Sequence, residues 1–139
     1  MIEASTTGIL DAASKDRKES TSRDSYISDH IFIPDNYEYV KVRLDEILYI
    51  EADGSYIKIQ TLQKTFQLST NLKNFNEQFD HPQFFRVSRK HIINLTYTER
   101  INGIALVIKG PDGVEHKIPF SKRKRHNILA RLPVIKIRH

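Results

Sequence analysis

The stretch FFRVSRKHIINL, residues 84–95, sets three cations, Arg86, Arg89 and Lys90, between two apolar pairs, Phe84-Phe85 and Ile92-Ile93. The apolar ends suit a protein interior and the charged middle does not, which makes the middle an exposed basic turn. A second cluster, Ser121, Lys122, Arg123, Lys124 and Arg125, opens the segment SKRKRHNILARL. Tyr56 follows a turn signal, Asp53-Gly54, and stands as an aromatic beside a hairpin tip. Guanidinium and ammonium groups gathered in this way suit a polyanion. Chemistry of the catalytic kind has no comparable support, since there is no Gly-rich phosphate loop, no GxSxG and no carboxylate pair at a telling spacing. Asp53 and His91 form an acid–base pair only by chance proximity, so no enzyme activity is expected. The six histidines are scattered and cysteine is absent, so neither a metal site nor a cofactor is expected.

The charge is unevenly spread. The chain of 139 residues carries +5 overall, but residues 1–30 hold a net −2, which leaves +7 on the remainder. No acidic side chain follows Glu115, whereas eight Lys and Arg side chains do. A one-sided basic end favours nucleic acid first and an anionic membrane second, against the plain alternative of a solvated basic tail. No apolar run is long enough to cross a membrane and MIEASTTGIL lacks the form of a secretory signal, so a soluble, cytoplasmic protein is expected.

The elements that must position these side chains are mostly strands. Residues 1–30, rich in Ser, Thr, Asp and Lys, lack helical or strand periodicity and read as a flexible leader or linker, which leaves 31–139 as the folded domain. From Ile31 onward, HIFIP, YEYVKVRL, EILYIEA and SYIKIQT are short, β-branched and aromatic. Asp53-Gly54 predicts a hairpin that puts Leu48 and Ile50 on one face and Tyr56, Lys58 and Gln60 together on one side of the return strand. STNLKNFNEQF predicts a short helix capped by Ser69 or Thr70, with Leu72, Phe75 and Phe79 as its apolar stripe and His81-Pro82 as its stop. FFRV and HIINL are strands around the basic turn. TERI, IALVIK and VEHKIPF form further hairpins, with Gly110-Pro111-Asp112-Gly113 as a turn and not a nucleotide-clamping loop.

The last element carries a conflict. If Ser121 caps a helix, Lys122, Arg123, Lys124 and Arg125 occupy its first turn, where the positive end of the helix dipole disfavours cations. An incoming phosphate reverses that sign, because free N–H groups, dipole and cations then all attract it. On the residues alone three partner classes stay open: duplex DNA, single-stranded RNA stacked on Tyr37, Tyr39 and Tyr56, and an acidic protein met by a basic interaction module. No long recognition helix is visible, so a helix-turn-helix reader is not supported.

Three blocks between Val40 and Leu132, in order, resemble the LytTR DNA-binding domain of bacterial response regulators of the LytR/AlgR type. DEILYIEADGSYIKIQT is similar to the family's hairpin with an aromatic-Ile-Glu core. STNLKNFNEQFDHPQFFRVSRKHIINL is similar to its short helix followed by Phe-x-Arg-x-His-Arg-Ser-aromatic-x-Val-Asn, and PFSKRKRHNILARL to its Ser-Arg block opening the final helix. The resemblance implies a mainly β fold of antiparallel strands in small stacked sheets, with a short helix and a C-terminal helix. It also implies sequence-specific binding of double-stranded DNA through loops that enter successive major grooves.

Carried over by position, the family's contact sites fall on Tyr56, on Arg86, Arg89 and Lys90, and on Ser121 and Arg123. The neighbouring Lys122 and Lys124 look suited to phosphates. Ser88 stands where the family usually has His, Lys90 where it has Ser, and His91 where it has an aromatic. Family members often carry a phospho-receiver whose dimerisation sets two such domains on tandem half-sites. The resemblance therefore implies a transcriptional regulator, the output domain of a two-component system, acting as a homodimer on DNA.

Overall fold

The computed structural model describes residues 29–137. The expected leader of residues 1–30 lies almost wholly outside the described residues. The described chain folds into ten strands in three antiparallel sheets. Strands β1 (His30–Asp35) and β2 (Glu38–Arg43) form a hairpin. Strands β3 (Ile47–Asp53), β4 (Tyr56–Thr61), β5 (Thr65–Leu68), β6 (Phe84–Arg86) and β7 (His91–Asn94) form the central sheet in the order β5-β4-β3-β7-β6. Strands β8 (Thr98–Ile101), β9 (Ala105–Lys109) and β10 (Glu115–Pro119) form the third, with β9 in the middle. Two short helices, α1 (Leu72–Gln78) and α2 (Arg125–Ala130), and three 3-10 turns, Leu44–Glu46, Leu95–Tyr97 and Lys122–Lys124, complete the elements. No helix among the described residues is long and apolar enough to cross a membrane.

The central sheet is buried on both faces by different partners, which is why its strands read as nearly continuous apolar runs. One face, with Ile47, Ile50, Ile57, Ile59, Phe66, Phe84 and Ile92, packs under Ile33 and Val42 of the first hairpin and Leu72 and Phe75 of α1. The other face sends Leu48, Phe85 and Ile93 into a second core with Leu106, Ile108, Ile118, Phe120 and Ile128.

Leu48 and Ile50 therefore do not share a face, contrary to the expectation from simple alternation. The pairing of β3 with β4 runs Ile47↔Thr61 and then Tyr49↔Gln60, so Leu48 is an extra residue in a β-bulge. A bulge turns two successive side chains to the same side and shifts the phase of the rest of the strand. Leu48 and Tyr49 thus enter the second core while Ile47 and Ile50 enter the first.

The turn chemistry also departs by a residue in places. The hairpin of β3 and β4 forms as expected, but its central pair is Gly54-Ser55, because Asp53 still pairs with Tyr56. Gly54 takes φ +65°. Glycine at the first central position with positive φ fits a type II′ turn. Helix α1 is capped not by Ser69 or Thr70 but by Asn71, whose extended backbone lets its side chain accept from the Asn74 N–H at 2.8 Å. The helix stops at Gln78, ahead of His81-Pro82, where Phe79 turns extended and its ring meets Phe84 edge-on at 4.9 Å. Gly110 to Gly113 form a turn as expected, closed by the Gly113 N–H on the Gly110 carbonyl at 3.0 Å.

A single buried polar side chain fastens the layers. Asn94, with no exposed surface, donates to the carbonyls of Ile47 at 2.8 Å and Leu44 at 3.4 Å and accepts from the Thr96 N–H at 2.9 Å. Its amide adds a donor to carbonyls where the chain leaves one sheet for another, and a buried carbonyl left unpaired costs roughly 1–3 kcal/mol.

The first hairpin turns through Asn36 (φ 50°) and Tyr37 (φ 67°), a left-handed pair that normally ends in glycine. The Tyr37 ring is fully exposed and gains nothing from packing. Relief of its left-handed strain, less the added freedom of an unfolded glycine, leaves Tyr37→Gly more stable by about 0.5–1 kcal/mol. Urea denaturation checks this, and an unchanged or lower midpoint would reveal a contact for the Tyr37 ring.

Candidate nucleic-acid interface

The candidate residues are set by strand register. Strand β3 ends at Asp53, so the Gly54-Ser55 tip and Tyr56 lie at that end of the central sheet. Strand β7 runs antiparallel to β3 and starts with His91 opposite Glu51, which puts the preceding residues Ser88, Arg89 and Lys90 beside the same tip. The Ala52 N–H donates to the Lys90 carbonyl at 2.8 Å and fastens the turn there. The third segment arrives through the second core, where buried Phe120 and Ile128 bracket Ser121 to Lys124.

The two basic segments converge. Arg86, Ser88 and Arg89 from one side and Ser121, Arg123 and Lys124 from the other line an open depression of about 410 Å³. Lys90 and Lys122 are exposed but lie outside it, and Tyr56, expected to be exposed, is half-buried on the face of β4 it shares with Lys58 and Gln60. Lys58 pairs with Asp53 at 2.9 Å, which keeps its ammonium charged at the hairpin tip and raises its pKa through that hydrogen bond and charge.

The expected conflict in the last helix is largely absent. Lys122 to Lys124 form a 3-10 turn, and α2 begins only at Arg125. Ser121 caps the 3-10 turn, its Oγ accepting from the Arg123 N–H at 3.3 Å. A helix of six residues that takes in only Arg125 of the four cations has little dipole to oppose them. The clustering of charge therefore rests on the side chains alone.

Several contributors escaped the sequence reading. Ser88 Oγ accepts from the Lys90 N–H at 3.2 Å, a local serine turn whose only sequence signal is the Ser-x-Lys spacing. His91 meets Glu51, not Asp53, with Nε2 3.3 Å from its carboxylate, because the antiparallel register puts those two side by side. Nδ1 of His91 is buried and has no hydrogen-bond partner. Among the described residues no group of His, Asp or Glu could hold a metal ion.

Ten short strands, two cores and basic loops gathered at one sheet end define a β-scaffold with a basic loop surface. Residues 37–132 match the LytTr DNA-binding domain, and the chain belongs to that family. A solved LytTr DNA-binding domain from Bacillus cereus shares the fold, with TM-score 0.57 and 15% identity, over 73% of this chain and 96% of that one. No curated protein matches the sequence.

Burial holds the His91 imidazole below its ordinary pKa of 6.5, against the upward pull of Glu51. The unfolded chain therefore binds the His91 proton more readily than the folded one. Its contribution to stability is complete above about pH 6.5 and is lost as the pH falls through the lower folded value. Denaturation midpoints from pH 7.5 to 5 should fall in the wild type and fall less in His91→Phe. An equal fall in both proteins would assign the effect to other groups.

Proposed function

We propose that this domain is a sequence-specific, double-stranded DNA-binding transcriptional regulator, the output domain of a two-component response regulator, that reads major grooves through its loops. The observation that carries the reading is the convergence of the basic turn and the Ser121–Lys124 segment at the end of the central sheet that also bears Tyr56. Membership of a DNA-binding family supports a DNA partner.

In this reading Arg89 and Arg123 reach base edges, because the planar guanidinium matches the two acceptors of guanine. Lys90, Lys122 and Lys124 take phosphates, as does the Ser121 hydroxyl, and Tyr56 packs at the edge of the groove. A homodimer would set two copies on tandem half-sites. The RNA alternative is less well supported, since Tyr37 and Tyr39 belong to the first hairpin. The tip of that hairpin is tied to Lys64 by Asp35 at 2.9 Å, at the opposite end of the central sheet from the basic turn.

Phosphate neutralisation releases condensed counterions, so affinity for duplex falls steeply with salt. With roughly five phosphate contacts the log–log slope is about −4 to −5, read from a titration over salt concentration. A slope near zero refutes the phosphate contacts.

Replacing Arg89 or Arg123 with Ala removes roughly 1–3 kcal/mol from a selected site and much less from a scrambled duplex, whereas Lys122→Ala weakens both alike. Affinities for both duplexes at fixed salt make the comparison, with single-stranded RNA as the control. Equal losses on both duplexes would mean that the arginines grip the backbone and read nothing.

A further inference from the structure

One cation in the depression already has two of its five donors, Nε–H and one Nη2–H, committed to its own turn. Arg86 donates from Nε to the Ser88 carbonyl and from Nη2 to the Arg89 carbonyl, each at 3.1 Å. The next carbonyl, that of Lys90, accepts from the Ala52 N–H at 2.8 Å. The Val87 N–H closes the loop on the His91 carbonyl at 3.0 Å, and the Ser88 hydroxyl receives the Lys90 N–H. Three successive carbonyls, from Ser88 to Lys90, therefore each accept from a donor of the protein itself.

This arrangement has two physical effects. A bare carbonyl near an incoming phosphate would repel it, and one already paired with a guanidinium or an N–H repels it less. The second effect is geometric. Bidentate recognition tolerates only about half an ångström of misplacement, so an arginine that reads a base needs a fixed backbone beneath it. Arg89 and Lys90 are exposed and leave from this turn, while Arg86 is half-buried beneath it.

We infer that Arg86 is a positioning residue. Its guanidinium fixes the Ser88–Arg89–Lys90 backbone so that Arg89 projects in one orientation, and Arg86 does not itself grip the ligand. The role assigned to Arg89 rests on the DNA-binding reading above, whereas the bracing of the turn does not.

The experiment uses the full chain as wild type, Arg86→Met, Arg89→Ala and the double variant, because methionine keeps the aliphatic bulk and removes the donors. In the free protein, Arg86→Met melts cooperatively but speeds amide hydrogen exchange from Ser88 to His91 tenfold or more. It lowers the preference for a selected over a scrambled duplex at least fivefold, and in the Arg89→Ala background it costs no further preference. Unchanged exchange overturns the inference, as do losses that multiply in the double variant. So does an equal loss on both duplexes with a salt slope shallower by about one unit, the mark of a phosphate contact. If Arg86→Met does not fold, Arg86→Lys carries the same cycle with the charge kept. A wild type that prefers no duplex while Arg86→Met still loosens the turn supports the brace and refutes the DNA-binding reading.

Discussion

The architecture depends on one extra residue in β3. A strand that alternates strictly can serve two cores only with its odd and even positions, and β3 does not alternate strictly. The bulge at Leu48 puts Leu48 and Tyr49 toward the second core and returns Ile50 to the first, so a seven-residue strand gives two large side chains to each. Without the extra residue every side chain on one side of position 48 would change face, moving Ile47 out of the first core or Ile50 and Ala52 with it. The central sheet would then lose its hold on one of its two covering layers.

Position follows from that hold. Because β3 is pinned on both faces, its Asp53 end is a fixed point, and the neighbouring strands β4 and β7 are registered to it by direct pairing. The basic turn is thereby set next to the hairpin tip although more than thirty residues separate them in the chain. The second core brings in the third segment through Phe120 and Ile128. The exposed cations Arg89, Lys90, Lys122 and Arg123 belong to neither core, so the scaffold does not depend on the charge it carries at that end.

Much of this was legible in the sequence. The strands, the Gly54 hairpin, the apolar stripe of α1 and the two basic clusters all arise from local patterns of period two, period 3.6 and turn residues. The family resemblance also anticipated the mainly β fold. What local pattern missed was non-local or a matter of one residue. The bulge leaves no signature in ILYIEAD, since both phases offer apolar side chains. Asn71 outcompetes Ser69 and Thr70 as a cap because of where the chain leaves β5, a tertiary fact. The pairing of His91 with Glu51 comes from the register of β3 against β7, which no spacing along the chain encodes. The dipole conflict arose from treating Lys122 as the start of a regular helix, and the 3-10 turn there removes it.

The separation of the two ends of the central sheet has a kinetic consequence. Arg89, Lys90, Arg123 and Lys124 crowd near one end, while at the other Lys64 is paired with Asp35. In the field of a polyanion such a distribution exerts a torque as well as a pull, so molecules would be turned loops-first before they touch. Orientation is normally what holds association of macromolecules far below the diffusion limit. A domain aligned during approach loses fewer encounters to wrong faces, and this advantage shrinks as ions shorten the range of the field to about 10 Å at 0.1 M salt.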